Sequence, residues 1–174
     1  RQRQMCIRDR HYLTSLKSEN GARGTVGMPL ALGMYELLPL WHAVFTKLGF
    51  NVKVSPMSTR RIYEKGQFSI PSDTACYPAK IMHGHIETLI SDGVDAIFYP
   101  CLTYNMDEKM TDNHYNCPVV AYYSELLNGN VEDLKKVKFL YPYLNINSKK
   151  ELAKELYNYL GKFYNGITKS EVKA

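Results

Sequence analysis

The 174-residue chain lacks the features of a membrane protein and of a disulfide-stabilised secreted protein. No stretch approaches the roughly 18 consecutive apolar residues of a membrane-spanning helix, and the N-terminus has no apolar signal-peptide core. A cytoplasmic location, with no membrane partner, is therefore our default expectation. With 45% hydrophobic and 22% charged residues, the chain has an ordinary globular balance and enough apolar side chains for the core of one domain.

Nucleotide-binding motifs are missing as well. Gly24, Gly27 and Gly33 do not have the G-x-G-x-x-G spacing of a dinucleotide site, and no Gly-Lys-Ser/Thr sequence marks a phosphate-binding loop. We therefore expect no ATP or NAD to bind this chain. The G-x-S-x-G elbow of many hydrolases is absent too, which lowers the expectation of that class.

The formal charge of +5 is concentrated at one end, because residues 1–10 contribute +3 of it. With little positive charge elsewhere and no lysine or arginine stripe, nucleic acid is a poor candidate partner. Those ten residues show no amphipathic period. We interpret residues 1–24 as an artefact or a linker, residues 25–165 as the folded domain, and residues 166–174 as the truncated start of a following segment.

Hydrophobic periodicity predicts alternating strands and helices along residues 25–165. The predicted strands are 25–28, 50–54, 94–100, 118–123 and 137–142, and the predicted helices are 34–49, 59–66, 77–91 and 148–166. Strands that alternate with helices pair in parallel. The expected fold is therefore α/β, a Rossmann-like parallel sheet of about five strands with flanking helices.

Three cysteines remain once Cys6 is set aside with the N-terminal segment, and an odd number without a signal peptide argues against a disulfide framework. Cys76 stands where a helix should begin, and a helix N-terminus stabilises a thiolate. Cys101 directly follows the predicted strand 94–100. Because ligands bind at the carboxyl ends of strands in open α/β sheets, we expect these two cysteines to converge. Burial as a small apolar residue is the commonest alternative for any one of them.

Cys117 has two possible placements. It lies at the opposite edge of the sheet if a helix fills 102–116, and near the other cysteines if that segment folds back over the crevice. His114, in the same segment, could supply a hydrogen bond or a ligand, although a solvated loop histidine is more common. Lys80, one turn after Cys76, could favour the thiolate or neutralise a negative cluster, or it could simply be solvated.

The metal-ligating residues do not form a zinc motif. There is no C-x-x-C pair, and His83 and His85, two residues apart on a helix, face different ways, so we expect packing or surface roles for both. An iron–sulfur cluster can take thiolates from separate loops. A 4Fe–4S cluster held by three cysteines, with a fourth ligand from elsewhere, needs the fewest further assumptions.

Four stretches carry a resemblance to a known family: VGMPLALGMYELLPLWHAVFTKLGF, SPMSTRRIYEKG, IPSDTACYPAKIMHGHIETLISDGVDAIFYPC and DNHYNCPVV. They resemble a domain of unknown function from the 2-hydroxyacyl-CoA dehydratase activase-related proteins. The chain is also similar to 2-hydroxyacyl-CoA dehydratase subunits and to double-cubane-cluster proteins. Residues 25–165 would then be a dehydratase-like domain.

The resemblance implies a role and partners. Cys76 of ACYPAK and Cys101 of FYPC match positions expected to ligate an iron–sulfur cluster, and Cys117 of NCP matches a further motif of the family, with Lys80 and His114 as supporting candidates. The implied function is an electron-accepting domain in an ATP-dependent dehydratase or reductase system of anaerobic bacteria. ATP-binding activase modules, in the same or another chain, and a second dehydratase-like domain are the implied partners.

Two rival interpretations stay open. One is a non-catalytic docking or regulatory domain that retains the dehydratase-like fold. The other is a catalytic subunit that binds a CoA thioester, which would need a deep apolar pocket beside a basic patch. The sequence shows no cluster of basic residues for that patch.

Overall fold

The computed structural model describes residues 21–107, 109 and 112–173. The interpretation of residues 1–24 therefore falls almost wholly outside the described residues. The four strands are β1 (Thr25–Met28), β2 (Asn51–Val54), β3 (Ala96–Phe98) and β4 (Lys138–Leu140). The helices are α1 (Gly33–Lys47), α2 (Arg60–Gly66), α3 (Tyr77–Ser91), α4 (Pro118–Asn130), α5 (Lys149–Leu160) and α6 (Lys169–Lys173).

The strands form one parallel sheet in the order β2-β1-β3-β4. This confirms an α/β class with a helix-flanked parallel sheet, although the described residues hold four strands where five were predicted. The order is that of a doubly wound 2-1-3-4 sheet, not the 3-2-1-4 order of the Rossmann fold. Because parallel crossovers are right-handed, α1 covers one face of the sheet while α3 and α4 cover the other.

Aromatic side chains fill the core beneath α1. The ring of Phe98, on the central strand β3, lies 5.0 Å from the ring of Trp41 and 4.8 Å from that of Phe45, measured between centroids. Edge and tilted ring contacts of this kind stabilise a core beyond the area that they bury. The pattern explains why 94–100 reads as a nearly unbroken apolar run, since β3 is buried on both faces.

Residues 118–123, predicted as a strand, are instead the first half of α4. A short apolar run with β-branched residues cannot be told from a buried helix by periodicity alone. Pro118 occupies the first turn, where its fixed φ suits a helix start and its missing N–H costs nothing. Helix α4 is thus the crossover helix between β3 and β4. The described part of 102–116 contains no helix.

Helix α3 agrees with its predicted bounds and is deeply buried. Of the packing or surface roles expected for His83 and His85, the structure shows packing, because both side chains are fully buried. The His85 ring lies 2.7 Å from Ser55 Oγ through Nδ1 and 2.9 Å from Ser58 Oγ through Nε2. The backbone N–H of Leu30 also donates to Ser55 Oγ. His85 therefore ties α3 to the segments that follow β1 and β2, at the carboxyl edge of the sheet.

Within the described ranges, no helix is long and apolar enough to cross a membrane.

Candidate functional site

Two of the three cysteines stand at helix starts. Cys76 is the N-cap of α3 and Cys117 is the N-cap of α4, both with extended backbone and both exposed. Neither thiol caps its own helix by a side-chain hydrogen bond, so both remain available to a ligand. Helices in parallel α/β units begin at the carboxyl edge of the sheet, where their unpaired N–H groups favour negative charge. Cys117 therefore lies on the same edge as Cys76.

Cys101 reaches that edge from the sheet itself. It follows β3, pairs with Tyr143 in a parallel bridge beyond β4, and donates its N–H to the Pro142 carbonyl at 2.9 Å. Its side chain is buried, with Sγ 2.9 Å from Ser124 Oγ on α4. Burial raises the pKa of the Cys101 thiol, and the Ser124 hydrogen bond opposes that rise. The buried environment thus favours the neutral thiol.

Two buried tyrosines lie near the cysteines. The hydroxyl of Tyr123, on α4, lies 2.9 Å from His83 Nε2 on α3. Burial, followed by the nearby Cys76, raises the pKa of Tyr123 to about 12. Tyr123 therefore links α4 to α3 through His83 and lies near Cys76.

Tyr99 directly follows β3 in the chain, two residues before Cys101. Burial raises the pKa of Tyr99 first, and the neighbouring Cys101 and Tyr123 raise it further, as does Cys117. Its hydroxyl is buried and has no hydrogen-bond partner among the described residues. A buried hydroxyl without a partner costs about 1–3 kcal/mol, so a group bound at this edge would find a donor here.

A shallow cavity of about 330 Å³ lies between the loop before α3 and the first half of α4. Ala75, next to Cys76, and Pro118, next to Cys117, both line it, as does Tyr123. The residues next to the two exposed cysteines therefore line one opening. Sequence reasoning missed Tyr99 and Tyr123. Only the place of Tyr99 at the end of a predicted strand, two residues before Cys101, offered a signal.

The two supporting candidates have partners of their own. Lys80 Nζ lies 3.8 Å from Asp73 Oδ1, and its side chain is largely buried. Lys80 therefore balances the negative charge of Asp73, in the loop that leads to Cys76. His114 Nε2 lies 3.2 Å from Asp107 Oδ1, and the His114 carbonyl accepts the N–H of Asn105 at 2.8 Å. These contacts connect the two arms of the loop between β3 and α4.

The arrangement of metal-ligating side chains in the described residues excludes a closed site for a single metal ion. Cys76, Cys101 and Cys117 are all free thiols. Among the residues that the structure describes, no three His, Cys, Asp or Glu side chains stand close enough to hold a single metal ion. The edge thus offers thiols in separate positions around buried phenols, and no closed site for one ion.

A family model described as the CoA enzyme activase uncharacterised domain (DUF2229) matches residues 25–174. The chain belongs to this family. The match confirms the resemblance seen in the sequence, and the matched domain begins at β1 and includes all three cysteines of the edge. No curated protein and no solved structure is a significant match.

Proposed function

We propose that this CoA enzyme activase domain binds an iron–sulfur cluster of the 4Fe–4S type through Cys76, Cys101 and Cys117, and accepts electrons in an ATP-dependent dehydratase or reductase system. The observation that supports this most directly is the position of the three thiols. They are separated by 25 and 16 residues in the chain, yet all lie at the carboxyl edge of the sheet, around Tyr99 and Tyr123.

The residues at this edge suit such a group. Thiolates bind different irons of a cluster, so they need not gather around one point as the ligands of a single ion must. The positive ends of α3 and α4 favour the negative charge of a thiolate-bound cluster. Ser124 Oγ, already beside Cys101 Sγ, can donate a hydrogen bond to the thiolate once Cys101 is a ligand. The unpaired Tyr99 hydroxyl can donate to a sulfur atom.

When bound, the cluster supplies one-electron reduction at low potential. Cys76, Cys101 and Cys117 would hold it as thiolates, and the buried Cys101 and Tyr99 would limit the access of water to it. A fourth ligand comes from outside the described residues. The partner that fits is an ATP-driven activase module, in the same or another chain, and the family description supports that association.

A docking or regulatory domain is the second candidate function. Burial of Cys101 against Ser124, together with the lack of a single-ion site among the described residues, favours it. Exposed Tyr77, Tyr122 and Tyr143 at this edge provide the amphipathic aromatic surface that is enriched at interfaces. In this case the thiols carry no cofactor.

Anaerobic reconstitution of the full chain with iron and sulfide separates the two candidates. We expect the folded protein to take up about four iron and four sulfide with the broad visible absorption of a cluster. Cys76→Ala, Cys101→Ala and Cys117→Ala should each lower uptake, whereas Cys6→Ala, outside the described residues, is the matched control. If all three variants still take up iron and sulfide, or if the folded parent chain binds no iron, the cluster proposal is wrong and the docking function is favoured.

A further inference from the structure

Helix α5 leaves part of its apolar stripe uncovered. Leu156 and Leu160 are buried, but Leu152 and Ala153 are only half-buried. On the facing helix α1, Val44 is half-buried as well. Between these two helices and α6 lies a groove of about 520 Å³, and most of its lining is aliphatic. An apolar surface that stays accessible in this way is typical of a binding face.

Lysines surround this groove. Lys47, Lys149 and Lys150 line it, and a second cavity of about 230 Å³ shares Lys150 and adds Lys154 and Lys169. The sequence shows no basic cluster, because these lysines come from three helices that only the fold brings together. They form a lysine-rimmed groove on the α1 face of the sheet.

Negative charge is scarce in the same place. The only acidic residue that lines either described cavity is Glu171, and Arg23 pairs with it at 3.3 Å. Lys149 and Lys150 lie in the first turn of α5, where the helix dipole disfavours positive charge. Within the described part of the chain, neither of these two lysines forms an ion pair. Their placement costs stability unless negative charge comes from outside.

We propose that the lysine-rimmed groove binds an amphipathic helix whose apolar stripe packs on Leu152 and Ala153 and whose flanking residues are acidic. Helix-in-groove recognition uses anchors at i, i+3/i+4 and i+7 on an apolar floor. The half-exposed lining favours a helix over an enclosed small molecule, because a small-molecule pocket buries most of its ligand. The groove lies on the α1 face of the sheet, whereas the cysteine-capped helices α3 and α4 cover the other face, so the inference does not depend on the proposed cluster.

Two synthetic peptides of about four helical turns test the proposal. They share one leucine stripe and carry glutamates on its flanks in one peptide and lysines in the other. By fluorescence anisotropy with the full chain, we expect the acidic peptide to bind in a salt-sensitive manner and the basic peptide not to bind. Equal binding of both peptides, or of neither, would overturn the proposal.

Charge-reversal variants locate the contact. Lys149→Glu/Lys150→Glu should weaken binding of the acidic peptide at least tenfold, while the thermal midpoint stays equal or rises because glutamate suits the first turn of a helix. The double variant Arg61→Glu/Lys135→Glu, with the same change of charge at exposed positions away from the groove, should leave binding unchanged. Ala153→Glu, which places a charge on the apolar floor, should also abolish binding. Affinity that survives these groove substitutions refutes the assignment.

A binding assay with dodecyl phosphate tests whether the groove instead takes a small amphiphile. If it binds saturably and the acidic peptide does not, the groove is a site for a phosphorylated alkyl chain and the helix proposal is wrong. If the peptide binds and dodecyl phosphate competes only weakly, the helix proposal is supported.

Discussion

The two helices that present the exposed cysteines begin alike and are held very differently. Both α3 and α4 have a cysteine N-cap and a proline in the first turn. Helix α3 then buries nearly every residue from Ala79 to Leu89, whereas α4 buries only one stripe, formed by Ala121, Tyr123, Ser124 and Leu127. The comparison indicates that α3 is the fixed support of the cysteine edge and that α4 is the side open to partners.

Glycine substitutions should affect the two helices in opposite directions. A Cβ at Gly84 in α3 would overlap the backbone carbonyl of Ile62 in α2, whereas a Cβ at Gly129 in α4 would meet nothing within 4 Å. We expect Gly84→Ala to lower the free energy of unfolding by about 3 kcal/mol or more, because backbone must move. Gly129→Ala should raise it by up to about 1 kcal/mol. Urea unfolding measures both, and a tolerated Gly84→Ala would contradict the tight α2–α3 contact.

Acid should destabilise α3 selectively. Burial lowers the pKa of His83 and of His85 from 6.5 to about 4. As the pH falls below 6.5 the unfolded chain takes up these protons first, so stability is complete above 6.5 and is lost progressively down to about 4. At about pH 5 we expect a loss of roughly 2 kcal/mol for each histidine.

Urea midpoints at neutral pH and near pH 5 test this dependence. His85→Gln should flatten the slope relative to the parent chain. Some slope will remain in His85→Gln, because burial also lowers the pKa of His42 and of His83. A slope that stays as steep in His85→Gln would show that another group carries the acid sensitivity.

The same contrast explains what the sequence could predict. Local signals determine α3, since its apolar positions and the terminal Gly93 predicted Tyr77–Ser91 as observed. In α4 the apolar run 118–123 is compatible with strand or helix, and only its tertiary neighbours decide.

The edge itself was only partly predictable. Doubly wound geometry places Cys76 and Cys101 at the carboxyl ends of strands from sequence order alone. The unpaired hydroxyl of Tyr99, the Ser124 contact and the lysines around α5 depend on residues far apart in the chain, so no local pattern reveals them.

The hydrogen bond that links the two helices should be worth less than the tight contact at Gly84. Tyr123→Phe removes the hydroxyl that bonds to His83 Nε2 and leaves that buried nitrogen without its partner. We expect a loss of about 1–2 kcal/mol in urea unfolding. Tyr122→Phe, at the exposed neighbouring position of α4, should stay within about 0.5 kcal/mol of the parent. Equal effects at both positions would mean that the Tyr123–His83 bond contributes nothing.

The smallest expected change in stability is at Cys76 and Cys117, the N-cap residues that make the two helices alike. Because Cys76 and Cys117 are exposed and Cys101 is buried against Ser124, iodoacetamide should modify two thiols of the native, metal-free Cys6→Ala chain, and the third only in urea. Intact-protein mass gives the number directly, and Cys76→Ala should reduce the native count to one. Neither exposed thiol caps its helix, so alkylation should change the unfolding free energy by less than about 0.5 kcal/mol. Rapid modification of Cys101 would show that α4 opens readily from β3, and the contrast between the fixed α3 and the open α4 would then extend into the core.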